Sequence, residues 1–332
     1  MSFRLELDEP IGRGLRRIAR EQLGRAEKRL AESHDPTTVH EVRKSLKRVR
    51  ALLRLVRPGI GDHAFKTENA RYRDIGRLLS GARDRHVMLE TLAALEARSA
   101  VTGQLAGEVR AILSEPVTDG AVNGAAVGDP FGEVGKRLTQ GRRALDRVLV
   151  QIDGFEPIEV GIARNMKAAR RNFAAAFAEQ TDEAFHEWRK TVQHHWRQMM
   201  LLSRAWPAYM TARAHLARDL SQIVGEDHDH GVLAQFVTAE TRIDRRAARE
   251  VAAACAARQR AIRAHARPLG ARLLAEGPNG LARRVALYWE GARLAAATAL
   301  SDDDTKDAPA GKTSGKSAAV RRAKPAVDKA DA

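Results

Sequence analysis

Apolar residues recur every three or four positions through most of this chain, the spacing that gathers them on one side of an α-helix. The clearest stretch is VHEVRKSLKRVRALLRLV, beginning at Val39. At about 100° per residue with His40 at zero, Val42, Leu46, Val49, Leu53 and Val56 fall in an arc centred near 200°. Arg43, Lys44, Lys47 and Arg54 cluster around His40 instead, so one side reads as core and the other as a cationic stripe.

The helical pattern runs from about Ile11 to Ala100, with breaks at HDPTT (34–38), RPGIGD (57–62) and SG (80–81). SEPVTDGAVNGAAVGDP (114–130) is rich in Gly, Pro and Val and has no helical period, which marks it as a seam. The pattern resumes at Phe131 and runs to about Ala297, broken at IDGFEP (152–157), EQTDE (179–183), WP (206–207) and EGPNG (276–280). After Ser301 the chain is Asp-rich and then rich in Ala, Lys, Pro and Gly, too poor in apolar surface to order itself. This predicts an all-α protein with a first helical bundle over about 10–113, a linker at 114–130, a second bundle over about 131–297 and a disordered tail at 301–332.

The opening of the charged stretch returns about 146 positions downstream as FHEWRKTVQHHW, from Phe185. His40, Arg43 and Lys44 match His186, Arg189 and Lys190. Earlier, Arg17 matches Arg164 and Arg20 matches Lys167; later, Arg73, Asp74, Asp84 and Val87 match Arg218, Asp219, Asp229 and Val232. These blocks keep register within two residues, which reads as an internal duplication with a long period, each copy a bundle of several helices. On the second copy His186, Lys190, Gln193 and Arg197 share one side, and Val192, His195, Met199 and Leu202 the other. Its charge is weaker, so the first half should dominate anion affinity.

Composition sharpens this. The 332 residues carry 57 Lys and Arg against 42 Asp and Glu, a net charge of +15, which points to polyanionic partners. The tail holds seven basic residues against six Asp, so nearly all the excess lies in the part that folds. A single cysteine, Cys255, excludes an intrachain disulfide and a Cys-rich zinc site. No secretory signal or membrane-length apolar run is visible, so a cytoplasmic protein with no membrane partner is expected.

Between His40 and Arg57 stand seven basic residues and one acid, Glu41, so neighbouring ion pairs cannot neutralise the stripe. Arg offers a planar fork of donors to phosphate oxygens, Lys a mobile point charge and His a shorter-range donor. Each charge-assisted hydrogen bond contributes roughly 1.5–3 kcal/mol. A row of them favours a long repeating polyanion over a single phosphate. A bland role stays open for His40 and His186, which could orient neighbours from the head of a bundle helix.

The two H-E-x-R-K openings, RDIGRLLSGARD with its trailing Val87, and LSQIVGEDHD with Val232 and Leu233, resemble the CHAD family, the conserved histidine α-helical domain, over roughly residues 10–295. The resemblance implies two pseudo-symmetric four-helix bundles facing each other across a basic groove, non-catalytic binding of inorganic polyphosphate, and association with polyphosphate granules. It places His40, Arg43, Lys44, Lys47, His186, Arg189 and Lys190 along that groove, with Arg17, Arg20, Arg164 and Lys167 joining from the preceding helices. Arg54 and Arg197 complete the stripes. Gln193 and His194 depart from the basic residues that usually follow in the family. Family members are often fused to a triphosphate tunnel domain; its E-x-E-x-K signature is missing here, so such an enzyme would be a partner in trans.

Two rivals remain. The net charge also suits a nucleic-acid binder, and nonspecific DNA binding at low salt is expected, although no helix-turn-helix or zinc motif is present. GEDHDHG (225–231) places Asp227, His228, Asp229 and His230 together, the residue types a metal-dependent phosphohydrolase uses; consecutive residues point around a helix rather than at one ion. Asp229, matching Asp84, reads more simply as the cap of a following helix. Trp188, Trp196, Trp206 and Trp289 read as packing residues. No catalytic residue, metal or cofactor is expected.

Overall fold

A computed structural model describes residues 3–79, 81–115 and 130–306. Among them the only regular structure is eleven helices: α1 (Ile11–Glu32), α2 (Pro36–Leu55), α3 (Arg57–Leu78), α4 (Gly81–Ala97), α5 (Gly103–Ser114), α6 (Pro130–Leu149), α7 (Glu156–Glu179), α8 (Asp182–Leu201), α9 (Pro207–Ala239), α10 (Arg245–Leu273) and α11 (Pro278–Lys306). The protein is all-α.

Local signals set the helix starts. Asp35 caps α2 by accepting from the Thr38 amide at 2.7 Å, with Pro36 fixing the first turn. At the matching position Thr181 caps α8 by accepting from the Ala184 amide at 3.2 Å. Asp244 caps α10 through the Arg246 and Ala247 amides. Inside RPGIGD, Gly61 takes φ 78°, a left-handed geometry that kinks α3.

The apolar stripes go where the periodicity points. Val42, Leu46, Val49, Leu53 and Val56 are all buried, as are Val192, His195, Met199 and Leu202. The cores nevertheless cross the expected seam. α6, which follows it, packs on α1 and α3, adding Val134, Leu138, Leu145 and Leu149 to a core with Leu15, Leu23, Tyr72 and Ile75. α4 and α5, which precede it, pack on α9 and α10, joining Leu92, Leu95 and Val109 to Val237 and Val251. α7, α8, α9 and α10 pack in succession, with Phe185, Trp188, Leu220 and Val224 between them. The exchange covers apolar surface that each half would otherwise expose to water.

Three expectations need correction. α9 is one 33-residue helix running straight through Gly225–Gly231, so Asp229 lies mid-helix and caps nothing. α11 continues to Lys306, past the expected start of the tail at 301. Trp188 and Trp289 are buried packing residues and Trp196 packs partly buried against two of the cores, whereas Trp206 is 49% exposed. The linker from 116 to 129 and the tail from 307 to 332 lie outside the described residues. Among the described residues no helix is long and apolar enough to cross a membrane.

Candidate functional site

α2 and α8, the two helices opened by H-E-x-R-K, pack against one another. Because each spends its apolar stripe on its own neighbours, their charged sides are what remain to meet. A cavity of about 420 Å³ lies there, lined by Arg25 of α1, Lys44 and Arg48 of α2, Trp196, Arg197 and Met200 of α8, His215 and Arg218 of α9, and Phe3. A smaller cavity of about 180 Å³ lies along α2 and α3, lined by Arg43, Leu46, Lys47, Arg50, Tyr72, Arg73, Gly76 and Arg77. Among the described residues no carboxylate lines either one.

The guanidinium groups of α2 are held by neutral acceptors. Arg48 donates to Gln22 Oε1 at 3.1 Å and Arg50 to Asn69 Oδ1 at 3.1 Å. Arg54 lies over the Phe65 ring at 5.4 Å, with its buried Nε unpartnered. From α8, Arg197, only 8% exposed, donates to the Gln193 carbonyl at 2.9 Å and lies over Trp196 at 4.5 Å. Burial and then mutual repulsion hold these groups below the ordinary arginine range. Arg50 falls to about 10 through burial and then Arg54, Arg73 and Arg77. Arg197 falls to about 10 through burial and then Arg48, Arg189 and Arg50. Arg48 and Arg54 are lowered by burial too, the first also by Arg25 and the second by Arg57.

His194 sits where the stripes meet. Burial, followed by Arg54, Arg197, Arg50 and Lys190, drives its pKa well below the ordinary histidine value, and its buried Nδ1 has no partner. The ring of His186 lies against that of His228 of α9, tilted by 35° with centroids 4.5 Å apart. Burial, His228, Lys190 and Arg189 bring it down to about 4. Both histidines are therefore neutral at pH 7, and an anion brought beside them would favour their charged forms and raise their pKa values.

The structure gathers some of the expected residues and disperses others. Lys44, Arg54, Lys190 and Arg197 lie at the α2–α8 meeting, with Arg43 and Lys47 beside the smaller cavity. Lys44 and Lys190 each pair with the acid of their own motif, Glu41 and Glu187. Arg189 donates to the Ser221 carbonyl at 3.3 Å and contributes to the field at Arg197. His40 is exposed at the head of α2. Arg17 is held by Glu9 at 2.5 Å and Glu21 at 3.3 Å, and Arg20 by Asp146 at 2.7 Å. Arg164 lies 3.9 Å from Asp62, and Lys167 is exposed on α7. These four line neither cavity.

Sequence reasoning missed Arg25, Arg48, Arg50, Arg73, Arg77, His215 and Arg218 as cavity residues. For Arg48 and Arg50 a signal existed, since both belong to the seven-to-one basic excess over His40–Arg57. The GEDHDHG residues are otherwise occupied. Asp227 is buried and bridged by Arg263 at 2.7 Å, and Arg263 also binds Asp182 at 2.5 Å. His230 Nδ1 lies 2.7 Å from the Glu226 carbonyl of its own helix. Among the described residues no three His, Cys, Asp or Glu side chains converge as metal ligands do.

Fold and site together describe an all-α protein whose two motif-bearing helices pack together beside a cavity to which Arg25, Lys44, Arg48, Arg197 and Arg218 contribute. The chain belongs to the CHAD family: the model of the CHAD domain matches residues 17–238. That span ends at the C-terminus of α9, leaving α10 and α11 outside it, where the sequence resemblance had suggested coverage to about 295. Comparison with curated proteins returns no match.

Proposed function

We propose that this protein binds inorganic polyphosphate without turning it over, in the cleft where α2 meets α8, and that it reaches polyphosphate granules through this ligand. One observation carries the reading: Arg48, Arg50, Arg54 and Arg197 are held half-buried or deeper beside other guanidinium groups, and the hydrogen bonds of Arg48, Arg50 and Arg197 go to Gln22, Asn69 and the Gln193 carbonyl, with Glu41, Asp74 and Glu187 only partly offsetting the repulsion. Like charges held in a low-dielectric setting raise the free energy of the empty state. An anionic polymer relieves it, and a repeating chain does so at several guanidinium groups at once. Membership in a family associated with polyphosphate binding supports the same ligand.

Competition titration tests this. Long-chain polyphosphate should bind the full chain at physiological salt, with no phosphate released over time. Duplex DNA at equal charge concentration should fail to displace it. Displacement by DNA would mean that the cleft reads charge alone, and phosphate release would mean an enzyme.

A further inference from the structure

α10 lies beyond the family-matched residues and carries eight arginines against one acid, Glu250. Three of the eight are committed. Arg258 pairs with Glu226, Arg263 with Asp182 and Asp227, and Arg246 with Glu250. The other five, Arg245, Arg249, Arg260, Arg267 and Arg272, are exposed and form no ion pair among the described residues. α10 packs on α9 and α5 and buries Val251, Cys255, Ile262 and Ala266, so the arginines stand on the side left over. At about 100° per residue Arg249, Arg260 and Arg267 fall within about 20° of one line, spaced by roughly 16 and 10 Å.

We infer that the outer side of α10 is a second polyanion surface, which docks on the sugar–phosphate backbone of duplex nucleic acid while the α2–α8 cleft holds its own ligand. Arginine forks bind phosphate oxygens in pairs of hydrogen bonds, and a helix offering several of them along one side suits a rod of evenly spaced phosphates. Between the arginines stand Ala253, Ala257 and Ala264, all exposed and small enough to let the backbone approach closely. A membrane suits this side poorly, since a helix lying in a bilayer interface needs Leu, Phe or Trp to insert. Arg267, stacked 5.4 Å over Phe177, is held in place by that ring.

The test uses the full chain saturated with long-chain polyphosphate, so that the cleft is filled, and follows its binding to a labelled DNA duplex over a salt series. The wild type should bind, with log affinity falling linearly in log salt. The triple variant Arg249→Ala, Arg260→Ala, Arg267→Ala should lose most of that affinity, its salt slope shrinking by about 3. Its circular dichroism and its polyphosphate affinity should be unchanged, because alanine favours helix and these positions are solvent-facing. Duplex binding abolished by polyphosphate in the wild type would overturn the inference, placing DNA in the cleft. So would equal duplex binding by the variant, or a loss seen on anionic vesicles alone. Failure of polyphosphate to bind the wild type would sink the cleft reading and leave this one standing.

Discussion

Arg43 of α2 donates a 2.6 Å hydrogen bond from Nη1 to the backbone carbonyl of Gly76 in α3. At the matching positions of the second half, Arg189 of α8 donates from Nε to the carbonyl of Ser221 in α9 at 3.3 Å. The arginine of the repeated motif thus ties its helix to the next in both halves, at the residue two beyond the Arg-Asp pair. It is a strut as well as a charge, and this equivalence supports the reading of an internal duplication.

Replacing either strut should therefore cost stability. Arg43→Ala should lower the free energy of unfolding by roughly 1.5–3 kcal/mol, the usual worth of a hydrogen bond to a charged group. Arg189→Ala should do the same or somewhat less, its bond being longer. Because the two struts join different helix pairs, their effects in urea denaturation should add. A pair of neutral results would assign these arginines to ligand alone.

Arg197 should behave in the opposite way. With 8% of its surface exposed and its pKa brought down by burial and then by Arg48, Arg189 and Arg50, its charge opposes folding of the empty protein. Arg197→Met keeps much of the volume and should leave the empty protein as stable as before or more so. Polyphosphate affinity should drop by about 10- to 100-fold, the equivalent of one charge-assisted hydrogen bond. Calorimetry of both states checks the pair of outcomes, and retained affinity would remove Arg197 from the site.

Acid should weaken the empty protein and tighten its hold on ligand. His186, lowered to about 4, and His194, lowered well below its ordinary value, are neutral in the fold and protonate more readily unfolded. The unfolded chain therefore binds more protons as pH falls below about 6.5, and stability declines from there toward pH 4. A bound polyanion favours the charged form, so binding takes up protons and affinity rises over the same interval. His194→Gln should flatten the rise, and an affinity independent of pH in the wild type would count against a ligand beside these rings.

Glycine at the crossing of α7 and α2 is a steric requirement. A Cβ at Gly161 would stand 1.7 Å from the Leu55 carbonyl oxygen, a backbone atom that cannot swing aside. Gly161→Ala should destabilise by at least about 1–3 kcal/mol. Gly135→Ala in α6, where a Cβ meets nothing within 4 Å, should stabilise by about 0.5–1 kcal/mol. Reversal of this order in thermal melts would mean that the crossing is looser than it stands.

Much of this protein could be read along the chain. Helix class, the breaks at Pro36, Pro207 and Pro278 and the buried sides of α2 and α8 follow from periodicity and turn chemistry, which act over a few residues. The cationic stripe, too, is a local count of charges. What the sequence could not disclose is which stripe residues share a space. Arg17 and Arg20 match the duplication as well as Arg43 does, yet Glu9 and Asp146 claim them from other elements. Arg25, His215 and Arg218 join the cleft from α1 and α9 with no motif of their own. His194, which departs from the family pattern, stands where four cations of two helices converge.

The sequence by itself determined that these helices form and which side of each is dry, because hydrogen bonds and side-chain periodicity within a helix need no distant partner. Only tertiary structure decided which arginines are answered by carboxylates and which are left facing one another. Charge interaction depends on distance and burial between elements remote in the chain, and those are set when α2 comes to lie against α8.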